Sequence, residues 1–287
     1  MDEKKPEQSQ APELTEEQMK EQNEVMKQIE MNENAINDIK EGIAKSMPFV
    51  SKKMSVDEYK EHWKDNKFYE SFKNLLNKYS KARELRRDGN CFYRALMWQM
   101  FEYFLTNKSS EAQAEYEKIL DKITKSKEAL LNVGFEEIVV EDFYDLFLLE
   151  FKNLKTADID TTNEDSIHEY LESLFSNNEK APYMIMFTRY MTSCYLKENA
   201  VLYEAFMVEY GDVASFWSVE IEGIDREAEQ IAIIGITNFL GIAAEINQVR
   251  DNGSLEILTL PEDAVDDGKR FIGKLLFTPG HYDALYC

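Results

Sequence analysis

In the N-terminal part of the chain, apolar positions are sparse but regularly placed. Met26, Ile29, Ile36, Ile39, Ile43 and Met47 recur at three-, four- and seven-residue intervals, which is one narrow stripe of an amphipathic helix. Thr15 with Gln18 has the spacing of a capping box, and Leu14 and Met19 flank it as a hydrophobic staple. The helix is therefore predicted over residues 15–47, ending before Pro48. Residues 1–14 are polar and read as a disordered acidic tail. The flanks of the stripe are strongly charged, and such a helix is only marginally stable alone. That pattern suits a surface kept for a partner as well as one docked on its own domain.

From residue 48 no Pro/Gly/Ser-rich linker and no internal repeat interrupts the chain, so one domain is predicted over residues 48–287. Helical patterns cover residues 59–79, 94–105, 112–133, 141–151, 166–175, 181–193 and 202–209, and residues 153–162 form a polar break expected to be a mobile loop. After residue 228 the pattern changes. A short apolar helix over 231–240 leads to a strand over 242–249, a hairpin signal at Asp251-Asn252-Gly253 and a strand over 255–260. Residues 271–277 and 281–286 read as a second hairpin around Thr278-Pro279-Gly280. Helices followed by a C-terminal sheet predict an α+β domain, its helical part packed on a mixed or mainly antiparallel sheet.

Composition narrows the possible roles. A 44% hydrophobic fraction with seventeen Phe and fifteen Tyr supports a sizeable core in 287 residues. A formal charge of -22 argues against nucleic acid or an anionic membrane as partner, since both require excess Lys and Arg. Much of that acidity serves solubility, and a neutral or basic protein ligand stays open. Cys91, Cys194 and Cys287 make an odd number without metal-ligand spacing, so neither a disulfide framework nor a zinc site is expected. The start Met1-Asp2-Glu3-Lys4-Lys5 lacks the apolar core of a signal peptide, and the apolar run 231–244 is too short and too interrupted to span a bilayer. A soluble protein of a reducing compartment, cytoplasm or nucleus, is the expectation.

Two segments carry candidate chemistry. In Arg86-Arg87-Asp88-Gly89-Asn90-Cys91-Phe92-Tyr93-Arg94-Ala95 a cysteine follows a tight polar turn and opens an apolar helix. Unpaired N–H groups at a helix start favour a thiolate. In Gly280-His281-Tyr282-Asp283, on a terminal strand, His281 and Asp283 share one face while Tyr282 looks to the other. Cys91 is thus the candidate nucleophile, His281 its base and Asp283 the group that orients the imidazole. Asp88 is a rival acidic member, better suited to shaping the turn. The backbone N–H groups of Asp88, Gly89, Asn90 and Cys91 are the candidate oxyanion hole. Each signal alone is weak, because a cysteine in a helix is more often a packed apolar residue. His62 and His168 sit on charged helical patterns and are expected to be solvated, Cys194 to be core, and Cys287 to be a bystander.

The motif Asp88-Gly89-Asn90-Cys91-Phe92-Tyr93-Arg94-Ala95 together with Gly280-His281-Tyr282-Asp283 and Leu285-Tyr286 closely resembles the otubains, ovarian-tumour (OTU) domain cysteine proteases that remove ubiquitin. The likeness extends to Pro48-Phe49-Val50-Ser51, Lys78-Tyr79-Ser80, Glu141-Asp142-Phe143, Met191-Thr192-Ser193 and Tyr195-Leu196, and covers about residues 45 to 287. It implies a papain-like α+β OTU domain with Cys91 as nucleophile, His281 as base and Asp283 or Asp88 as acidic member. The implied substrate is the isopeptide bond at the ubiquitin C-terminus, in chains linked through ubiquitin's lysine 48, with no cofactor. The implied partners are ubiquitin, polyubiquitin chains and, through the N-terminal helix, a second ubiquitin or a ubiquitin-charged conjugating enzyme. Glu220, Glu222, Gln230 and Tyr282 are the implied substrate contacts. The chain departs from the family where Gln230 stands in place of an expected ubiquitin-facing histidine, which bears on affinity and linkage preference. Two rival readings are a scaffold that holds charged conjugating enzymes with catalysis secondary, and an enzyme acting on another ubiquitin-like modifier.

Overall fold

The computed structural model of the protein describes Lys27, Gly42 and residues 47–207, 216–250, 252–264, 266 and 268–287. The expected tail over 1–14, the capping box at Thr15 and most of the helix over 15–47 lie outside the described residues, as do residues 208 and 209 and the hairpin residue Asp251. The chain divides into two units, Met1–Ser46 and Met47–Cys287, and the fold below is that of the second.

Six short strands among the described residues build one sheet. They are β1 (Met54–Ser55), β2 (Lys81–Arg83), β3 (Ile242–Val249), β4 (Leu255–Leu260), β5 (Arg270–Thr278) and β6 (His281–Tyr286), in the order β1-β2-β6-β5-β3-β4. All neighbours are antiparallel except β3 and β5, which run parallel with a bulge at Ala243/Ala244. The strand that ends the chain therefore lies inside the sheet, between β2 and β5. Its first five residues are buried, as a strand covered on both faces must be. Gly280, at φ +79°, turns β5 back into β6.

Helices cover both faces of the sheet. On one side lies α3 (Cys91–Thr106), apolar almost all round and buried on nearly every face. Around it pack α4 (Ser110–Asn132), α5 (Glu137–Asn153), α6 (Glu164–Phe175), α7 (Ala181–Glu198) and α9 (Gln230–Leu240), joined in one core with Tyr282 and Ala284 of β6. The short α8 (Ala200–Met207) follows α7. On the other side α1 (Val56–Trp63) and α2 (Tyr69–Phe72) close a smaller core with Val249, Leu276 and Leu285. Alternation along β6 thus turns Tyr282 and Ala284 toward α3, and Asp283 and Leu285 toward α1.

The α+β class predicted from sequence is the class observed, with local differences. The expected helix over 59–79 is broken into α1, α2 and a 3-10 turn at Leu75–Lys78. The side chain of Asn66 accepts the Phe68 N–H (2.9 Å) and its carbonyl accepts the Tyr69 N–H, a local turn that competes with helix continuation. Strands β1 and β2 had no sequence signal, because two and three residues are too few to display a period. Helix α3 begins at Cys91, as the turn-then-helix reading of that segment has it, three residues ahead of the apolar pattern over 94–105. Residues 153–162 close on themselves: Asp160 accepts the Thr162 N–H (2.9 Å), and Leu154 is buried. Among the described residues no helix is long and apolar enough to cross a membrane.

Candidate active site

The turn before α3 is held from several directions. Arg86 donates to the Met47 carbonyl through Nε (3.0 Å) and Nη2 (2.6 Å) and lies over the Phe49 ring. The Asp88 carboxylate takes both guanidinium arms of Arg94 (3.0 and 2.7 Å) and the Asn90 N–H (3.0 Å). Gly89 has φ +75°, and a Cβ there would come within 2.1 Å of the Asp225 carbonyl oxygen, so no other residue fits. Asn90 is buried, donating to Asp225 Oδ1 (2.9 Å) and accepting from Arg189 (2.7 Å). Arg189 is fully buried in α7. It also donates to the carbonyls of Gly89 (3.2 Å), Arg226 (2.6 Å) and Ile221 (3.3 Å), and its guanidinium lies over Tyr93. One cation thereby ties the turn at 88–90 to the segment 221–226.

This scaffold presents Cys91 as the first residue of α3, 2% exposed, beside His281 of β6, also 2% exposed. His281 Nε2 lies 2.8 Å from Asp283 Oδ1. Nδ1, the remaining ring nitrogen, makes no aligned hydrogen bond, yet the Cys91 sulfur is near enough to favour the imidazolium. Thiol and ring are adjacent without being closed into a bond. Burial lowers the His281 pKa, but the charge and hydrogen bond of Asp283, and then Cys91, outweigh it and raise the group to about 9. Asp283 is 2% exposed. Its Oδ1 also accepts the Leu85 N–H (2.8 Å), and its Oδ2 accepts the Tyr59 hydroxyl (2.7 Å). Burial would raise its carboxyl, but the charge and hydrogen bond of His281, with the bonds from Tyr59 and Leu85, hold it below the usual value. The arrangement can form a thiolate–imidazolium pair and transfer an acyl group to sulfur.

The structure brings Cys91, His281 and Asp283 together and separates the other candidates by role. Asp88 is taken by Arg94 and Asn90, so it shapes the turn while Asp283 occupies the position next to the imidazole. Of the four candidate oxyanion donors, Asp88 N–H is bonded to the Arg86 carbonyl and Asn90 N–H to Asp88. The N–H groups of Gly89 and Cys91 have no acceptor among the described residues, which corrects the set from four donors to two.

The implied substrate contacts also divide. Gln230, exposed at the start of α9, lines a cavity of about 260 Å³ together with Glu227, Glu229 and Phe277. Glu220 is half-buried on the π-helical turn Trp217–Ile221. Glu222 is held by Ser193 and by Lys197 (2.7 Å), which makes it an internal tie instead of a free contact. Tyr282 is 4% exposed and donates to the Ala228 carbonyl (2.9 Å) between the rings of Phe92 and Phe277, so it forms an inner wall. His168 overturns its solvated expectation. It is 5% exposed against Trp98 and bonded to Arg83 (3.0 Å), and burial, then Arg83, lowers its pKa. His62 is exposed and paired with Glu84 (3.0 Å) on the rim of a cleft of about 210 Å³ that reaches His281 and Asp283. Cys194 is buried, its thiol pushed up to about 12 by that burial, and Cys287 is exposed.

Tyr59, the Leu85 N–H and Arg189 escaped the sequence reading. For Arg189 a signal existed: it is the one charged residue in the run 181–196, and a cation buried with such a run must have a polar job. For Tyr59 none did, since an aromatic residue on an amphipathic helix reads as core.

Comparison with known proteins follows the same outline. The sequence matches the family described as Peptidase C65 Otubain over residues 42–287. It is 30% identical to the ubiquitin thioesterase OTUB1 of Homo sapiens over 250 residues, 86% of either chain. It is 31% identical to a ubiquitin thioesterase otubain-like protein of Caenorhabditis briggsae over 229 residues, covering 76% of this chain and 73% of that one. Among solved structures, the otubain chain of an h/ceOTUB1–ubiquitin aldehyde–UBCH5B~Ub complex superposes with a TM-score of 0.77 at 25% identity, over 91% of this chain and 98% of that one. The corresponding UBC13~Ub complex gives 0.75 at 26% identity, over 90% and 97%.

Proposed function

Because this chain belongs to the otubain family of C65 peptidases, we propose that it is a thiol-dependent deubiquitinase that hydrolyses isopeptide bonds at the C-terminal glycine of ubiquitin, with lysine-48-linked chains as substrate. The observation that carries the chemistry is the buried contact of Cys91, His281 and Asp283. Relatives named ubiquitin thioesterases support the choice of modifier.

The Cys91 thiolate attacks the carbonyl carbon of the scissile bond, and the displaced electron pair collects on oxygen. The N–H groups of Gly89 and Cys91 stabilise that charge. Each such donor is worth on the order of a hundred- to a thousand-fold in rate. His281 passes its Nδ1 proton to the departing lysine amine as the C–N bond breaks, leaving a thioester on Cys91. The neutral imidazole then takes a proton from water, whose oxygen attacks the thioester. The glycine carboxylate leaves and the thiolate–imidazolium pair is restored. Asp283 holds the ring so that Nδ1 meets both the sulfur and the leaving nitrogen. Gln230 and the cavity beside it, on the Tyr282 side of β6, receive the ubiquitin side of the bond.

A second function, holding ubiquitin-charged conjugating enzymes through residues 15–47, is favoured by the complexes in which the relatives were solved. Reaction with a ubiquitin bearing a C-terminal electrophile, beside Cys91→Ala, tests the first reading. A covalent adduct in the parent protein and none in the variant is expected. Folded parent protein that forms no adduct would remove the hydrolase reading. Inhibition of a charged conjugating enzyme that persists in Cys91→Ala would support the second.

A further inference from the structure

We infer that Tyr59 is a positioning residue of this active site, acting through Asp283, an inference that rests on the hydrolase reading above. Tyr59 belongs to α1, 224 positions from Asp283 in sequence, and is completely buried. Packing alone does not require its hydroxyl, because a phenyl ring would fill the same space against Trp63. A buried phenol needs a partner, and the one it has is Asp283 Oδ2 at 2.7 Å. Burial, then the charge of Asp283, raises the phenol pKa well above its usual value, so it stays a donor.

The division of labour on the carboxylate gives this bond its consequence. Oδ1 receives both the Leu85 N–H (2.8 Å) and His281 Nε2 (2.8 Å). With those two alone, the carboxylate is pinned at one atom and free to turn about it. The Tyr59 hydroxyl supplies the second point and sets the plane in which Oδ1 meets the imidazole. It also neutralises part of the charge that would otherwise bear on the ring. Helix α1, outside the two catalytic segments, thereby becomes part of the site.

The test is Tyr59→Phe alone and in an Asp283→Asn background, with cleavage of ubiquitin conjugates followed against pH. In the parent background the variant lowers kcat about tenfold, the effect of one orphaned buried acceptor, with KM within about twofold. Its alkaline limb moves to higher pH, because an unneutralised Oδ2 strengthens the hold of Asp283 on the imidazolium. In the Asp283→Asn background the same substitution costs less than about twofold, since the group it acts through is gone. Alkylation of Cys91 by iodoacetamide against pH, in Cys287→Ser protein, reads the same coupling without ubiquitin and so separates failure of this inference from failure of the substrate assignment. Equal penalties in both backgrounds, or an unmoved pH profile, overturn the role. If Tyr59→Phe alone does not fold, the double variant leaves no orphaned carboxylate oxygen. A folded double variant then supports coupling through Asp283, and an unfolded one makes Tyr59 merely structural.

Discussion

Asp283 accepts three hydrogen bonds where it is almost wholly buried, and that environment dictates how the neighbouring imidazole titrates. The His281 pKa is raised to about 9, so folding favours the protonated ring. Its stabilising contribution is complete below the ordinary histidine pKa of about 6.5 and is lost as pH rises through the folded value. Asp283 runs the opposite way. Its carboxyl is held down, so its contribution is present above about pH 4 and is lost as pH falls through the lowered value. Two outcomes are expected between pH 7 and 10. Turnover falls along a limb near pH 9, and the melting temperature drops more in the parent protein than in His281→Gln. A pH-independent rate across that range would contradict the imidazolium as proton donor. Gly89 gives a second prediction at this scale. Gly89→Ala must clear the Asp225 carbonyl oxygen, 2.1 Å away, while keeping a positive φ. Since Gly89 N–H, which has no acceptor among the described residues, is a candidate oxyanion donor, kcat should fall by on the order of a hundredfold, measured on protein shown by circular dichroism to be folded.

At the scale of elements, what holds the turn before Cys91 is a helix packed behind it. Arg189 reaches from α7 to three backbone carbonyls and the Asn90 side chain, joining the turn at 88–90 to the segment 221–226. Arg189→Met would orphan the buried Ile221 carbonyl and Asn90 Oδ1 and is expected to cost about 2 kcal/mol in urea denaturation. Arg189→Lys keeps the charge but loses the fork, so it should recover only part of that stability. An Arg189→Met chain as stable as the parent would show the tie to be dispensable. The sequence foretold these elements unevenly. Helix α3 and the β5–β6 hairpin were legible because each carries its own signal, an apolar run after a turn and a Thr-Pro-Gly reversal between apolar segments. The break between α1 and α2 was not, since its cause is a single Asn66 side chain competing for backbone donors. Strands β1 and β2 were not, since they exist only by pairing with β6 and each other. Cys91, His281 and Asp283 could be read because two short motifs hold them. Tyr59 could not, because its role depends on which face of β6 the folded sheet turns toward α1.

Across the whole molecule, the active site is assembled from pieces that only the complete sheet brings together: α1, the 88–91 turn, the 221–226 segment and β6. Among the described residues, the groups that hold Asp283 and the turn lie within residues 47–287, where the Met47 carbonyl receives Arg86. A chain that starts at Met47 keeps that bond, the sheet and both cores. It is expected to melt within about 4 °C of the full chain, the shift that 1 kcal/mol or less produces in a domain of this size. Its reaction with the ubiquitin electrophile should stay within about threefold of the parent, a free-energy difference too small to reflect a lost active-site contact. Shortening the chain further, past Met47, removes the acceptor of a guanidinium that braces the catalytic turn and should lower both stability and adduct formation. If residues 1–46 serve the conjugating-enzyme reading, the Met47 chain loses that binding while keeping its thiol chemistry, the reverse of Cys91→Ala. The two variants together separate surface recognition from catalysis. A Met47 chain that folds but cannot form the adduct would place part of the catalytic machinery in the N-terminal unit.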